Sequence, residues 1–130
     1  MNEENYIAAT KEAMSKAYVP YSNYPVGALI VTDNGNTYCG CNVENASYPL
    51  GNCAEASAIA SMVISGEKKI QTIYVMTQND EGGIPCGGCR QRIREFSDEN
   101  TQIMMCSQDG VQQQINLSEL LPNSFGPEHL

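Results

Sequence analysis

Three cysteines and one glutamate are the residues of this chain best placed to do chemistry. Cys86 and Cys89 stand two residues apart within Pro85-Cys86-Gly87-Gly88-Cys89, a gap typical of zinc ligands, and Asn52-Cys53-Ala54-Glu55 supplies a third thiol followed closely by a carboxylate. Both segments read as helix starts. Unpaired backbone N–H groups and the positive end of the helix dipole favour ionised thiols there, so the three sulfurs can take up a soft cation. Structural zinc takes four protein ligands, whereas catalytic zinc keeps three and leaves one position for water. The only histidine, His129, lies one residue from the end of the sequence and is a poor fourth ligand, as are the spare cysteines. Glu55, two positions after Cys53, can then face the open position without ligating, which is the place of a proton carrier.

The elements that must position these groups follow from periodicity and breakers. Residues 2–18 space Ile7, Ala9, Ala13, Met14 and Ala17 as an amphipathic helix that stops before Pro20. Residues 27–32 and 37–43 are strand-like and joined by Asp33-Asn34-Gly35-Asn36, which predicts an antiparallel hairpin. A buried helix is expected over 53–64 with Gly66 at its C-terminal end, then a strand over 70–77 and a short helix from Cys86 to Arg94 or Phe96. Further strands are expected over 102–106 and, at an edge, 111–115, followed by a helical turn over 117–121 broken by Pro122. This succession describes an α/β fold, a three-layer α/β/α sandwich around a mixed β-sheet.

Length and charge narrow the function classes. A chain of 130 residues is expected to form one domain over 1–130. Seven Lys plus Arg against fifteen Asp plus Glu leave a net charge of −8, which disfavours nucleic acid and anionic membranes as partners. Met1-Asn2-Glu3-Glu4-Asn5 carries no basic segment before an apolar run, so a cytoplasmic setting is expected. Six cysteines in that setting point to metal binding or catalysis rather than three disulfides, with Cys39, Cys41 and Cys106 as buried inert thiols. Met62, Met76, Met104 and Met105 read as core filling, and Arg90, Arg92 and Arg94 as solvated or interface cations.

The spaced motifs resemble the cytidine deaminase family, in particular its small homotetrameric branch with three cysteine ligands. The resemblance runs over essentially the whole chain: Pro20-Tyr21-Ser22 with Pro25-Val26-Gly27-Ala28, Gly40-Cys41-Asn42-Val43-Glu44-Asn45-Ala46-Ser47-Tyr48, Cys53-Ala54-Glu55, Pro85-Cys86-Gly87-Gly88-Cys89-Arg90-Gln91, and Leu120-Leu121-Pro122 before Phe125-Gly126-Pro127. A metal ligand, one spacer and a Glu, then Pro-Cys and two spacers before a second Cys, is the signature of zinc nucleobase deaminases. Cys53 stands at the ligand position that other members fill with His.

What the resemblance implies is hydrolytic deamination of cytidine and 2′-deoxycytidine, with Zn2+ held by Cys53, Cys86 and Cys89 and protons carried by Glu55. It assigns Asn42 and Glu44 to the sugar hydroxyls, the Ala54 backbone to the base, and Tyr24 to stacking where the family usually has Phe. Tyr48 and Phe125 match positions that complete a neighbouring subunit's site in a homotetramer. The family also places Arg directly after the catalytic Glu, where it hydrogen-bonds the ligand sulfurs. Here that position is Ala56, followed by Ser57, so the thiolates are expected to lack that cation, with Arg90 and Arg92 as alternative sources. Two other functions remain open at this level: a non-catalytic zinc-stabilised protein of the same fold, and a deaminase of another cytosine-bearing nucleoside such as a nucleoside antibiotic.

Overall fold

The computed structural model describes residues 2–130. Helix α1 spans Glu3–Ser15 and is followed by the hairpin β1 (Gly27–Thr32) and β2 (Thr37–Cys41), then α2 (Ala54–Ile64), β3 (Ile70–Met76), α3 (Gly87–Glu95), β4 (Gln102–Ser107), β5 (Gly110–Asn116) and the short α4 (Leu117–Leu120). Single 3₁₀ turns at Tyr48–Leu50 and Pro127–His129 are additions to the expected elements. No helix among the described residues is long and apolar enough to cross a membrane.

The five strands lie in the order β2-β1-β3-β4-β5. Only β3 and β4 run parallel, with α3 in the crossover between them, so the sheet is mixed as expected. Alternation along the inner strands splits the core in two. Leu29, Val31, Tyr74, Met76, Met104 and Cys106 pack with α1 through Met14, Tyr6, Ile7 and Ala9. On the other face Ala28, Ile30, Ile73, Val75, Ile103 and Met105 meet Ala54, Ala58, Ile59 and Met62 of α2, Ile93 of α3 and Leu120 of α4. Burial on both faces explains the nearly continuous apolar runs of β1, β3 and β4. Each fully buried Ile or Leu here contributes roughly 1.5–3 kcal/mol.

The seat of α2 is set by Gly40. A Cβ there would collide with Ala54 O and Ala58 N, so only glycine lets the helix backbone lie directly on β2. Its strand partner is Ala28, the next smallest residue, and the two together let the helix that follows Cys53 sit low on the sheet. At its far end α2 stops as expected, with Gly66 at φ +103° just beyond the cap. Glu67 then accepts hydrogen bonds from Asn34 Nδ2 (2.9 Å), Asn36 Nδ2 (3.0 Å) and the Tyr38 hydroxyl (2.8 Å), tying the hairpin to the loop after α2.

Two sequence expectations need correction. β2 ends at Cys41 rather than at Val43, because Val43 turns out of the sheet to form bridges with Tyr18 and Asn52. Cys39, expected to be buried, is exposed, and Cys41 is only half-buried. Both lie on the edge strand, where α1 covers the neighbouring Leu29 more fully than the thiols beside it.

Candidate active site and metal centre

Cys53 is the N-cap residue of α2 and Cys86 that of α3, each with extended backbone. Neither side chain caps its own helix, which leaves both thiols free to turn toward each other. Cys89 joins them from the first turn of α3, fully buried. The three sulfurs lie within 4.8 Å of one another and are the only such set of metal-ligating groups among the described residues. Sulfurs each ~2.3 Å from one zinc in a tetrahedral arrangement stand about 3.8 Å apart, so small side-chain rotations close this set on one ion. His129 takes no part, since its Nδ1 accepts from the Gly126 N–H at 3.0 Å.

The thiols differ in environment. A backbone hydrogen bond from Cys89 lowers the pKa of Cys86, whereas burial raises those of Cys53 and Cys89. A divalent ion would override these differences, because a coordinating thiol is deprotonated outright. Ser57 helps to hold the strand-to-helix entry: its Oγ lies 3.0 Å from Cys41 O and 3.2 Å from Cys53 O, and accepts from Asn52 Nδ2 at 3.0 Å.

Glu55 occupies the first turn of α2 and is 4% exposed. Burial raises its pKa, and hydrogen bonding with Cys89 and the charge of Arg92 work in the opposite direction. It lines a cavity of 190 Å³ together with Cys53, Cys86, Ala54, Asn42 and Tyr24. A larger cavity of 360 Å³ lies between Glu44, Tyr21, Ser22, Asn45, Tyr48 and Gly51. The smaller one is where Cys53 and Cys86 meet the buried Glu55 carboxylate.

The remaining sequence candidates fall around these two spaces. The Tyr24 hydroxyl has a partner at the cavity rim: Asn79 Nδ2 donates to it at 2.8 Å. Asn42 receives Val26 N–H on Oδ1 (2.9 Å) and donates from Nδ2 to Tyr24 O (2.9 Å), with a lone pair and a hydrogen left for a ligand. Glu44 accepts from the Ser22 hydroxyl and from the Tyr21 and Ser22 N–H groups (3.0 and 3.1 Å), and the Ser22 hydroxyl is the main reason its pKa is lowered. Tyr48 is 76% exposed at the outer cavity. Phe125 is 57% exposed, stacks on His129 and lines neither space within one chain.

The three arginines of α3 are not idle surface charges. Arg90 donates to Pro85 O (2.9 Å) and Leu120 O (2.8 Å), and Arg94 to Ser124 Oγ (2.9 Å) and Glu128 (2.6 Å). Arg92 Nη1 donates to Cys89 Sγ at 3.4 Å, so of the two alternative sources of a cation named from the sequence Arg92 is the one that reaches a ligand sulfur. Sequence reasoning missed Asn79 and could not choose between Arg90 and Arg92. The only available signal for Arg92 was its position one helical turn after Cys89.

A family model described as the cytidine and deoxycytidylate deaminase zinc-binding region matches residues 1–105. The chain belongs to this deaminase family. A cytidine deaminase of Sporosarcina psychrophila is 37% identical over 100% of this chain and 96% of its own length. One from Mycoplasma genitalium is 40% identical, covering 96% of each chain. The crystal structure of cytidine deaminase from Burkholderia pseudomallei superimposes with a TM-score of 0.90 at 38% identity, over 96% of this chain and 100% of that one. The matched family model is that of a zinc-binding deaminase region, and the three-thiol set is a donor group compatible with zinc.

Proposed function

We propose that this deaminase hydrolyses cytidine and 2′-deoxycytidine to uridine and 2′-deoxyuridine, consuming one water and releasing one ammonia. The observation that carries the reading is the buried Glu55 carboxylate on the wall of the cavity into which Cys53 and Cys86 also open. Cys53, Cys86 and Cys89 hold the metal, and zinc on three thiolates supplies Lewis-acid activation of a water nucleophile. Glu55 accepts a proton from the attacking water and delivers it to ring N3, which makes C4 tetrahedral at low cost in aromaticity. Glu55 then carries the second proton, taken from the new C4 hydroxyl, to the exocyclic nitrogen, and the C4–N bond breaks to release ammonia as the C4 carbonyl forms.

The rest of the cavity binds and orients. Tyr24 offers an aromatic face to the pyrimidine, the Ala54 backbone meets its edge, and Asn42 and Glu44 receive the sugar hydroxyls. Tyr48 and Phe125, both exposed in the single chain, close a neighbouring subunit's site in a homotetramer and exclude water from it. In this reading residues 1–130 form one catalytic domain that works in the cytoplasm on a free nucleoside, not on a nucleic acid or at a membrane.

The test is incubation of the zinc-loaded protein with cytidine, following the loss of cytosine absorbance and the appearance of ammonia in equal amounts. Zinc-replete protein that releases no ammonia from cytidine or deoxycytidine overturns the assignment.

A further inference from the structure

We propose that Arg92 is the positioning residue of the thiolate set, a cation carried on α3 that balances the charge of the loaded metal site and fixes the Cys89 sulfur. The inference rests on the zinc reading above and adds to it a residue that does not line the substrate cavity.

Charge supplies the need. Three thiolates around a dication leave one net negative charge, and Cys89 carries its share with no exposure to water. An uncompensated charge in such a place is costly. The two helix N-termini offset part of it with their partial positive charges, and a guanidinium supplies a full one.

Geometry selects the donor. Arg92 follows Cys89 by three positions on α3, and helical side chains lean toward the N-terminus, so its guanidinium runs back along the helix to the sulfur, with Nη1 at 3.4 Å. The same Nη1 would stand at ordinary van der Waals distance, 3.4 Å, from a Cβ on Gly88, so the guanidinium lies directly over the first turn of α3. Arg90 and Arg94 are committed elsewhere, to backbone carbonyls and to the C-terminal segment. Among the described residues, Cys89 Sγ is the hydrogen-bond partner found for Arg92. Across from it, Ala56 on α2 lines the same cleft and leaves room for the long side chain.

The experiment compares zinc-loaded wild type with R92M, R92K and the double variant A56R/R92M. Zinc release to a chromophoric chelator is timed, the sulfur-to-metal charge-transfer band of the cobalt-substituted proteins is recorded, and melting of the metal-free proteins is followed. Expected are zinc release from R92M about tenfold faster or more, a displaced cobalt band, and metal-free melting close to wild type. R92K is expected to fall between the two, since it keeps the charge but loses the planar fork. A56R/R92M is expected to recover part of the retention by bringing a cation into the cleft from α2. Should R92M fail to fold, R92Q takes its place in the same comparison. Wild type that holds one zinc while R92M matches it within about twofold in release, with an unchanged cobalt band, overturns the role of Arg92 alone. Wild type that holds no zinc overturns the metal reading itself, and this inference with it.

Discussion

Gln91 Nε2 donates to the Phe125 carbonyl at 2.9 Å, so the helix that carries Cys89 also fixes the segment that carries Phe125. Three residues further along, Arg94 clamps Ser124 and Glu128, and Gly126 is pressed so close that a Cβ would collide with the guanidinium. If Phe125 closes a neighbour's site, R94M loosens that closure without touching the chemistry. The expected outcome is a several-fold rise in KM with little change in kcat, together with faster proteolytic trimming of the C-terminal segment. A KM equal to wild type would show that Phe125 does not depend on this clamp.

The proposal that sites are shared between subunits makes a second prediction. Subunits of E55Q lack the proton carrier and subunits of F125A lack the closing ring, so each homotetramer is expected to be impaired. Mixed and reassembled, some sites combine an intact Glu55 with an intact Phe125 from a neighbour. Activity above that of either parent is expected, and its absence in reassembled hybrids argues for sites complete within one chain.

Replacing Glu55 by Gln keeps the shape and removes proton transfer. E55Q is expected to retain zinc and nucleoside binding while kcat falls by about 10²–10⁴-fold, the usual contribution of general acid–base catalysis. Turnover near wild type, measured with zinc content verified, would remove Glu55 from the mechanism.

Glu44 stays ionised because the Ser22 hydroxyl and two backbone N–H groups stabilise its carboxylate. A phosphate on the sugar would bring two negative groups together. Cytidine monophosphate is therefore expected to show kcat/KM lower than cytidine by on the order of tenfold or more, with the gap narrowing as salt rises. Equal efficiencies at low ionic strength would contradict a sugar-side role for Glu44.

A stability prediction concerns Glu67, whose pKa is lowered to about 2 by hydrogen bonds from Thr32, Asn36 and Tyr38. Because the folded value lies below the ordinary 4.5, the stabilisation is fully present above pH 4.5 and is lost as the pH falls through about 2. E67Q is expected to be less stable at neutral pH and to show a shallower loss of stability over that acid range. Denaturant titrations of both proteins at several pH values measure the difference.

Much of this was legible in the chain because period-2 apolar runs and turn residues are local signals. The strand expected over 70–77 is Ile70–Met76, and the helix expected over 53–64 is Ala54–Ile64. The thiols and Glu55 were legible for the same reason, since each group's spacing lies within one turn of chain. What escaped depends on tertiary placement. Nothing around Cys39 tells that its strand lies at the sheet edge, and nothing local pairs Asn79 with a tyrosine distant in sequence. The three arginines of α3 look alike until the direction of each side chain is known.

The parallel pairing of β3 with β4, and the antiparallel pairing of β1 with β3 across the intervening β2 and α2, bear on the order in which the molecule assembles. Cys53 and Cys86 begin helices on separate excursions of the chain, so their sulfurs meet only after these non-local strand pairings have formed. The three-thiol site is therefore expected to close late, as a clasp rather than a folding nucleus. Zinc is expected to lengthen the lifetime of the native state while leaving the folding rate nearly unchanged, and stopped-flow refolding with and without the metal reads both limbs directly.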